Sequence, residues 1–458
     1  MLLLDQRLIH ETANARLAVS PVQKHEANPL FGEDKPWEVR YDNVYPNVLW
    51  DEMQQKYRCW YNLFLVDPGT TEVPREQRAH ATYDAQRPRE HGICYAESDD
   101  GLNWTKPQLG LVEFNGSAAN NIVLRSACGA GILIEPHDPQ PDRRYKMMYG
   151  GEWTGDYQSN STVRFSGDGL NWSAPHRCRE IDAEADTHCN TIWLPQQNTY
   201  VAITRLHGGE PFEVETAHRL ERYPAGQRTV GLTESADFET WSKSIEVLRG
   251  DRMNQTYSMQ IFPWDGIYLG LVMMIHLDTD LVDCELTWSP DAVHWDYVDR
   301  GNPIIANGAT EGDCDWGCVY AATAPMATAD DIRVYYGSSN NRHWSWRDNY
   351  LCLGTLRPDG WAGYEPIDPD QVATVVTAPI ECRRGLGLTA DAAGGPVQIS
   401  VIDEDGNLIA AGEPIRADVT NHAVAFAESD LLARLAGRPV RLKFELRGAK
   451  IYSVDMRE

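Results

Sequence analysis

A seven-residue phrase, Ser-x-Asp-x-x-x-Trp, occurs four times in this chain and restricts its fold more than any other feature. The copies run from Ser98 to Trp104, Ser166 to Trp172, Ser235 to Trp241 and Ser289 to Trp295. A degenerate fifth runs from Thr355 to Trp361, with its acid displaced to Asp359. Successive copies begin 68, 69, 54 and 66 positions apart. Such periods exceed those of most helical solenoids and suit β-propeller blades with generous loops. Each copy reads as a turn: the Asp accepts backbone N–H bonds, and the Gly of two copies takes a positive φ. The Trp fills the space between neighbouring blades. Five copies predict five blades.

Strand-like runs between the copies follow one order. An inner strand such as Asn47-Val48-Leu49-Trp50 or Asn190-Thr191-Ile192-Trp193 comes first. After a polar turn comes a second strand such as Tyr57-Arg58-Cys59-Trp60-Tyr61, and a third leads into the Ser/Asp/Trp turn. An exit phrase, Asn121-Ile122-Val123-Leu124 or Asn302-Pro303-Ile304-Ile305, precedes each new inner strand. It recurs early as Asn28-Pro29-Leu30-Phe31. Residues 15–31 are therefore expected to supply the outer strand of the last blade, which hides a sheet edge. From about residue 376 short alternating strands such as Val397-Gln398-Ile399-Ser400-Val401 replace the repeats, with Asp403-Glu404-Asp405-Gly406 as a hairpin signal. The expected fold is all-β: a five-bladed β-propeller over residues 1–375 and a small β-sandwich over 376–458.

Composition bounds the partners. A net charge of −26 over 458 residues excludes nucleic acid and anionic membrane, both of which need clustered Lys and Arg. A neutral carbohydrate substrate is compatible with it. The opening Met1-Leu2-Leu3-Leu4-Asp5 is not a signal peptide, and no stretch has transmembrane length, so a cytoplasmic protein is expected. The ten cysteines lack a framework, and Cys314-x-x-x-Cys318 lacks the second pair of a zinc site. Reduced thiols, no metal and no cofactor are expected.

In a propeller the inner strands begin on the face opposite the Ser/Asp/Trp turns, around the mouth of the central channel, where ligands bind. Three acids stand there: Asp42 ahead of Pro46-Asn47, Asp186 ahead of Asn190, and Asp315 within Asp313-Cys314-Asp315-Trp316. Converging carboxylates are what glycosidic cleavage needs, one ionised and one held protonated. Asp42 is the candidate base or nucleophile, with Asp186 and Asp315 supporting it. Loop residues Glu152 and Glu311 are the candidate acids. His188, Trp153, Trp316, His276, Arg342 and His343 are candidate sugar contacts, the aromatics by stacking and the others by donating to hydroxyls. The charged loop 67–90 suits either the funnel rim or a homo-oligomer contact.

These residues resemble the five-bladed-propeller glycoside hydrolases of families 32, 43 and 68. Asp42 ahead of Pro46-Asn47-Val48-Leu49-Trp50 looks like their first-blade Asp, and the Asp-Gly-x-x-Trp phrases look like their blade turns. The resemblance implies a glycoside hydrolase, with a fructo- or arabinofuranoside-like substrate among the options and pyranosides left open. A C-terminal sandwich accompanies the propeller in family 32. The chain lacks that family's Trp-Met-Asn-Asp-Pro-Asn signature. Its nearest Arg-Asp-Pro counterpart, His137-Asp138-Pro139, falls in a turn on the wrong face, and Glu381-Cys382 lies in the sandwich region. A sialidase-like hydrolase and a non-catalytic carbohydrate-binding propeller are the alternatives.

Overall fold

The computed structural model describes residues 1–78, 88–151 and 160–458. The chain is all-β. Five antiparallel groups of strands succeed one another along it, each built outward from an inner strand, and a parallel contact of Val282 with Cys318 joins the fourth to the fifth. The first sets Arg40–Tyr41 and Asn47–Asp51 beside Lys56–Val66, then adds Glu90–Ser98 and Ile122–Arg125. The second contains Cys128–Ile134, Tyr145–Gly150, Ser161–Ser166 and His176–Arg177. The third contains Asn190–Leu194, Thr199–Gly208, Gln227–Ser235 and Ile245–Arg249. The fourth contains Asn254–Trp264, Ile267–His276, Leu281–Ser289 and Asp296–Tyr297. The fifth contains Cys318–Ala321, Ile332–Ser339 and Asn349–Leu356. Its outer edge is closed by Gln23–Lys24 and Phe31–Gly32 from the N-terminal segment.

The Ser/Asp/Trp phrase acts as the turn chemistry requires. In the first copy Ser98 Oγ accepts from Gly101 N, and Asp100 Oδ1 accepts from Leu102 N and Asn103 N. The Trp104 indole donates back to Gly101 O. The fourth residue takes a positive φ in all four full copies, at Gly101, Gly169, Phe238 and Ala292. Each turn then seats on the blade before its own. Trp60 Nε1 in the first blade donates to Gly169 O in the second blade's turn at 2.8 Å. Arg143 in the second donates to Asp237 O in the third's. Trp295 of the fourth shares a core with Ile192 and Val201 of the third, and Trp361 of the fifth lies 5.2 Å from Trp264 of the fourth. The first blade's turn sits on the fifth: Tyr335 Oη donates to Gly101 O at 2.9 Å and Arg333 to Asp100 O at 2.7 Å. The ring is closed by the same contact that joins its other members.

The C-terminal residues form two sheets over one core that includes Leu3, Val375, Leu388, Ile399, Phe444 and Ile451. One sheet runs Ile9–Ala13, Ala373–Thr377, Pro439–Leu446, Val397–Ile402, Leu408–Ala411. The other runs Ala15–Val19, Ala362–Pro366, Lys450–Arg457, Gly385–Asp391, Asp418–Ala423. This corrects the reading of residues 15–31. Ala15–Val19 pairs with Ala362–Pro366 in the C-terminal sheets, where Ala18 and Val19 are buried. The chain passes the fourth blade at Val22, whose N–H bonds Ile304 O, and reaches the fifth at Gln23–Lys24. Among the described residues, no helix is long and apolar enough to cross a membrane.

The joint between the first two blades carries a buried charge. Arg58, 3% exposed, holds the fully buried Asp51 at 2.9 Å, bonds the Tyr145 hydroxyl and reaches Asp168 O in the neighbouring turn. Breaking one side of such a pair strands the other charge, at a cost of about 3–5 kcal/mol. Arg58→Met is therefore expected to lower the midpoint of urea unfolding by an amount equivalent to several kcal/mol. A loss below about 1 kcal/mol, the scale of an exposed pair, would show that this joint does not hold the blades together.

Candidate active site

The site begins with a backbone distortion. Directly after Asp42, three successive non-glycine residues, Asn43, Val44 and Tyr45, have φ of 57°, 61° and 40°. A left-handed β-branched residue costs about 1–3 kcal/mol and persists only where its surroundings hold it. Here Asn62 N donates to Val44 O at 2.6 Å and Tyr45 N to Asn43 O at 2.7 Å. The turn leaves Asp42 about a fifth exposed and buries Asn43 and Tyr45.

Below the turn lies a floor of polar aromatics drawn from four blades. Tyr45 packs 5.3 Å from His188 and 5.8 Å from Tyr320, and Tyr257 lies 5.5 Å from Tyr320. Asn43 Nδ2 donates to the Tyr45 and Tyr257 hydroxyls, while its Oδ1 accepts from Arg347 at 2.7 Å. The Tyr257 hydroxyl also meets His343 Nε2 at 2.9 Å. Arg205 lies 4.6 Å over the Tyr257 ring and pairs with Asp186 at 2.8 Å. The second blade contributes an absence of side chain: a Cβ at Gly129 or Gly131 would collide with the carbonyl of Thr187 or Cys189. Glycine there lets the third blade's inner strand begin close to the axis.

Two carboxyl groups near this mouth are driven in opposite directions. Burial acts to raise the Asp42 pKa. The hydrogen bond and charge of His91, with Arg40 and Arg347 behind, outweigh it and hold the group well below the usual carboxylate range. His91 Nε2 is 3.1 Å from Asp42 Oδ2. Burial opposes its charge, but Cys128 and Asp42 push its pKa up to about 10. Glu33 is the contrary case. Burial raises its carboxyl to about 7, against the pull of the Tyr41 N–H that it accepts at 2.7 Å. Glu33 lines a cleft of about 290 Å³ with Arg40, Glu311, Trp346, Arg347 and Asp348.

The residues singled out from sequence divide accordingly. Asp42, Asp186 and His343 are joined through the floor, and Glu311 stands exposed on the rim of the Glu33 cleft. Arg342 lies 5.4 Å over Trp316, making a rim pair beside the fifth blade. Asp315 does not converge on them. It is 4% exposed and held by Lys24 at 2.7 Å and the Tyr336 hydroxyl at 2.9 Å, fastening the closing segment to the fifth blade. His276 faces Asn254 and Asp283 along its own blade. His188 is shut from solvent under Tyr45, and burial lowers its pKa to about 3, so it offers a sugar no surface. Glu152 and Trp153 lie outside the described residues.

Sequence reasoning missed Glu33, His91, Cys128 and Tyr257. Glu33 follows the early exit phrase by two residues and was hidden by reading that segment as an outer strand alone. His91 and Cys128 are 37 positions apart, with no ligand spacing between them to notice.

A larger cavity of about 720 Å³ opens at the other mouth, among the inner-strand ends Trp50, Ile134, Trp193 and Pro263. Its acids are already neutralised: Glu135 and Asp138 both lie 2.5 Å from the buried Lys146.

No protein-family model matches the chain, and no curated protein matches its sequence. Solved structures match in fold. A β-1,2-mannobiose phosphorylase from Listeria innocua, in complex with β-1,2-mannobiose, is 12% identical with a TM-score of 0.50, over 74% of this chain and 97% of that one. A structure from the GH130 family of mannoside phosphorylases, described as containing glycoside hydrolases that target β-1,2 mannosidic linkages in Candida mannan, is 12% identical. Its TM-score is 0.47, over 76% of this chain and 97% of that one. An N-acetylgalactosamine deacetylase from F. plautii, in complex with blood group B trisaccharide, is 14% identical with a TM-score of 0.44, over 75% and 96%. The likeness is one of fold, shared with glycoside hydrolases and phosphorylases. The resemblance to families 32, 43 and 68 likewise remains one of architecture.

The close approach at Gly129 is directly testable. Gly116 has φ of 80° and nothing within 4 Å of an added Cβ, so Gly116→Ala is charged for conformation alone, about 1–2 kcal/mol. Gly129→Ala adds a collision with backbone and is expected to lower the melting temperature at least twice as far. Equal shifts would show that the third blade's strand does not need the space.

Proposed function

We propose that the chain is a carbohydrate-active enzyme that cleaves a glycosidic bond at the mouth beside the first and fifth blades. The observation that carries this reading is the opposed pair on one short segment. Glu33 is kept protonated by burial, and Asp42 is kept ionised by His91, Arg40 and Arg347. Groups whose environments push their proton affinities apart divide the labour of acid and anion. In this reading Glu33 delivers a proton to the leaving oxygen. Asp42 supplies the negative charge that an oxocarbenium-like transition state requires. Trp346, largely buried with Arg78 over its ring, forms part of the wall of the Glu33 cleft, and Asp186, held by Arg205, faces the floor from the third blade. Glu33 replaces Glu311 as first candidate for the acid, because burial raises the Glu33 carboxyl to about 7 while Glu311 stands exposed on the rim.

Phosphorolysis is a second reading of the same site. Arg40 and Arg347 line the cleft with Arg75 and Arg78, and an arginine-rich cleft suits a phosphate as the attacking group. Added inorganic phosphate would then raise turnover and yield a sugar phosphate in place of the free sugar.

A screen of aryl and disaccharide glycosides, furanosides included, tests the reading. Glu33→Gln is expected to lower kcat by about 10²–10⁴-fold on natural linkages, and by much less on aryl glycosides whose leaving group needs no proton. Asp42→Asn is expected to cost about 10²–10³-fold on both. Glu33 must hold its proton to act, so wild-type activity on natural linkages should fall as pH rises through about 7. Glu33→Gln should abolish that limb. Equal losses on both substrate types, or an unchanged pH limb, would remove Glu33 from the role. Cleavage of no glycoside at all would favour a carbohydrate-binding propeller.

A further inference from the structure

We propose that Asp42, His91 and Cys128 bind one divalent metal ion of the zinc class. One donor atom from each residue lies within 4.8 Å of the other two, and the carboxylate-to-imidazole separation is 3.1 Å. Zinc bonds of about 2.0–2.3 Å at tetrahedral angles set ligand atoms about 3.3–3.7 Å apart, so modest side-chain rotations close the triangle. A carboxylate oxygen, an imidazole nitrogen and a thiolate sulfur are the donors zinc accepts. Calcium and magnesium favour all-oxygen sets. Each of the three residues is half-buried, so an ion can enter from solvent, and three protein donors leave a fourth position open.

The three donors come from separate strands that are already fixed to one another. Asp42 follows Arg40–Tyr41, His91 belongs to Glu90–Ser98, and Cys128 opens Cys128–Ile134. Asn62, 1% exposed, ties two of them together: its amide nitrogen donates to Asp42 O at 3.3 Å and its oxygen accepts from Gly129 N at 3.1 Å. Ser126 N donates to His91 O at 2.9 Å, and the Phe64 ring lies 4.3 Å from the imidazole. Ligands held by such surroundings lose little freedom on binding a metal. Nothing in the spacing of these three residues along the chain marks the site.

The inference deepens the cleavage reading and rests on it for the substrate alone. With a metal present, His91 and Cys128 would each give up a proton to solvent on ligation, the ion would replace the imidazolium as the positive partner of Asp42, and the open position of this charge-balanced unit would take a water or sugar-hydroxyl oxygen. Metal binding itself needs no substrate, so the two ideas fail separately.

The test uses the full chain stripped with a chelator and titrated with Zn²⁺ by calorimetry and with Co²⁺ by absorption. The expected result is one ion per chain, with a thiolate-to-cobalt charge-transfer band in the near ultraviolet. Cys128→Ser should abolish that band and weaken Zn²⁺ binding at least tenfold. His91→Gln should weaken it similarly, and Zn²⁺ should raise the melting temperature of wild type more than that of either variant. Cys314→Ser, which removes a thiol elsewhere, and Glu33→Gln should both bind as wild type. Circular dichroism identifies any variant that fails to fold, and the remaining variant and the wild-type cobalt spectrum then decide. A bound cobalt without the thiolate band, a Cys128→Ser protein that binds Zn²⁺ normally, or no binding by the wild type would overturn the proposal.

Discussion

The seating of each Ser/Asp/Trp turn on the preceding blade is the contact on which the rest of the structure depends. The turn is built locally by side-chain-to-backbone bonds, so it forms without help from distant chain. Its exposed carbonyls then become acceptors for Trp60, Arg58, Arg143, Arg333 and Tyr335 on the neighbouring sheets. Because one end of every blade is clamped this way, the inner strands must begin at the opposite end. That end is left for loops, and it is where strain and buried charge collect.

The channel mouth holds features that a merely structural funnel has no use for. Three consecutive left-handed residues follow Asp42, and a network of hydroxyls, amides and guanidinium groups supports them from below. The cost is borne by the Asn62 and Arg347 bonds and by packing among Tyr45, Tyr257 and Tyr320. What the distortion achieves is position: Asp42 is presented at the rim beside His91 and Cys128, while its neighbours turn into the core. Glu33 directly follows Phe31–Gly32, which pairs with the edge of the fifth blade, so the segment that closes the ring also carries the second carboxyl group of the proposed site.

Much of the fold is legible in the sequence because the repeated turn states both its own geometry and its count. The position of Asp42 ahead of the first inner strand was legible too, since the start of an inner strand is a place that topology alone identifies. Other readings failed where position along a strand says nothing about direction. Asp315 stands at an equivalent place, but Lys24, from a segment almost three hundred residues earlier, draws its carboxylate away. His188 lies at the start of its strand and is then covered by Tyr45, whose conformation no propensity predicts. His91 and Cys128 meet Asp42 only because Asn62 and the Gly129 contact bring three strands together. The raised carboxyl on which the role proposed for Glu33 rests comes from burial, a property that depends on the finished ring.

The central claim is that chemistry occurs at the Asp42 and Glu33 mouth, although the roomier cavity lies at the other. The most direct measurement is a crystal structure of the Glu33→Gln protein soaked with a glycoside that the wild type cleaves. The account predicts sugar density in the cleft lined by Arg40, Trp346 and Arg347, with the scissile oxygen within hydrogen-bond reach of residue 33 and Asp42 on the sugar's other side. Sugar bound instead between Trp50 and Trp193 at the opposite mouth, with the Glu33 cleft empty, would contradict it.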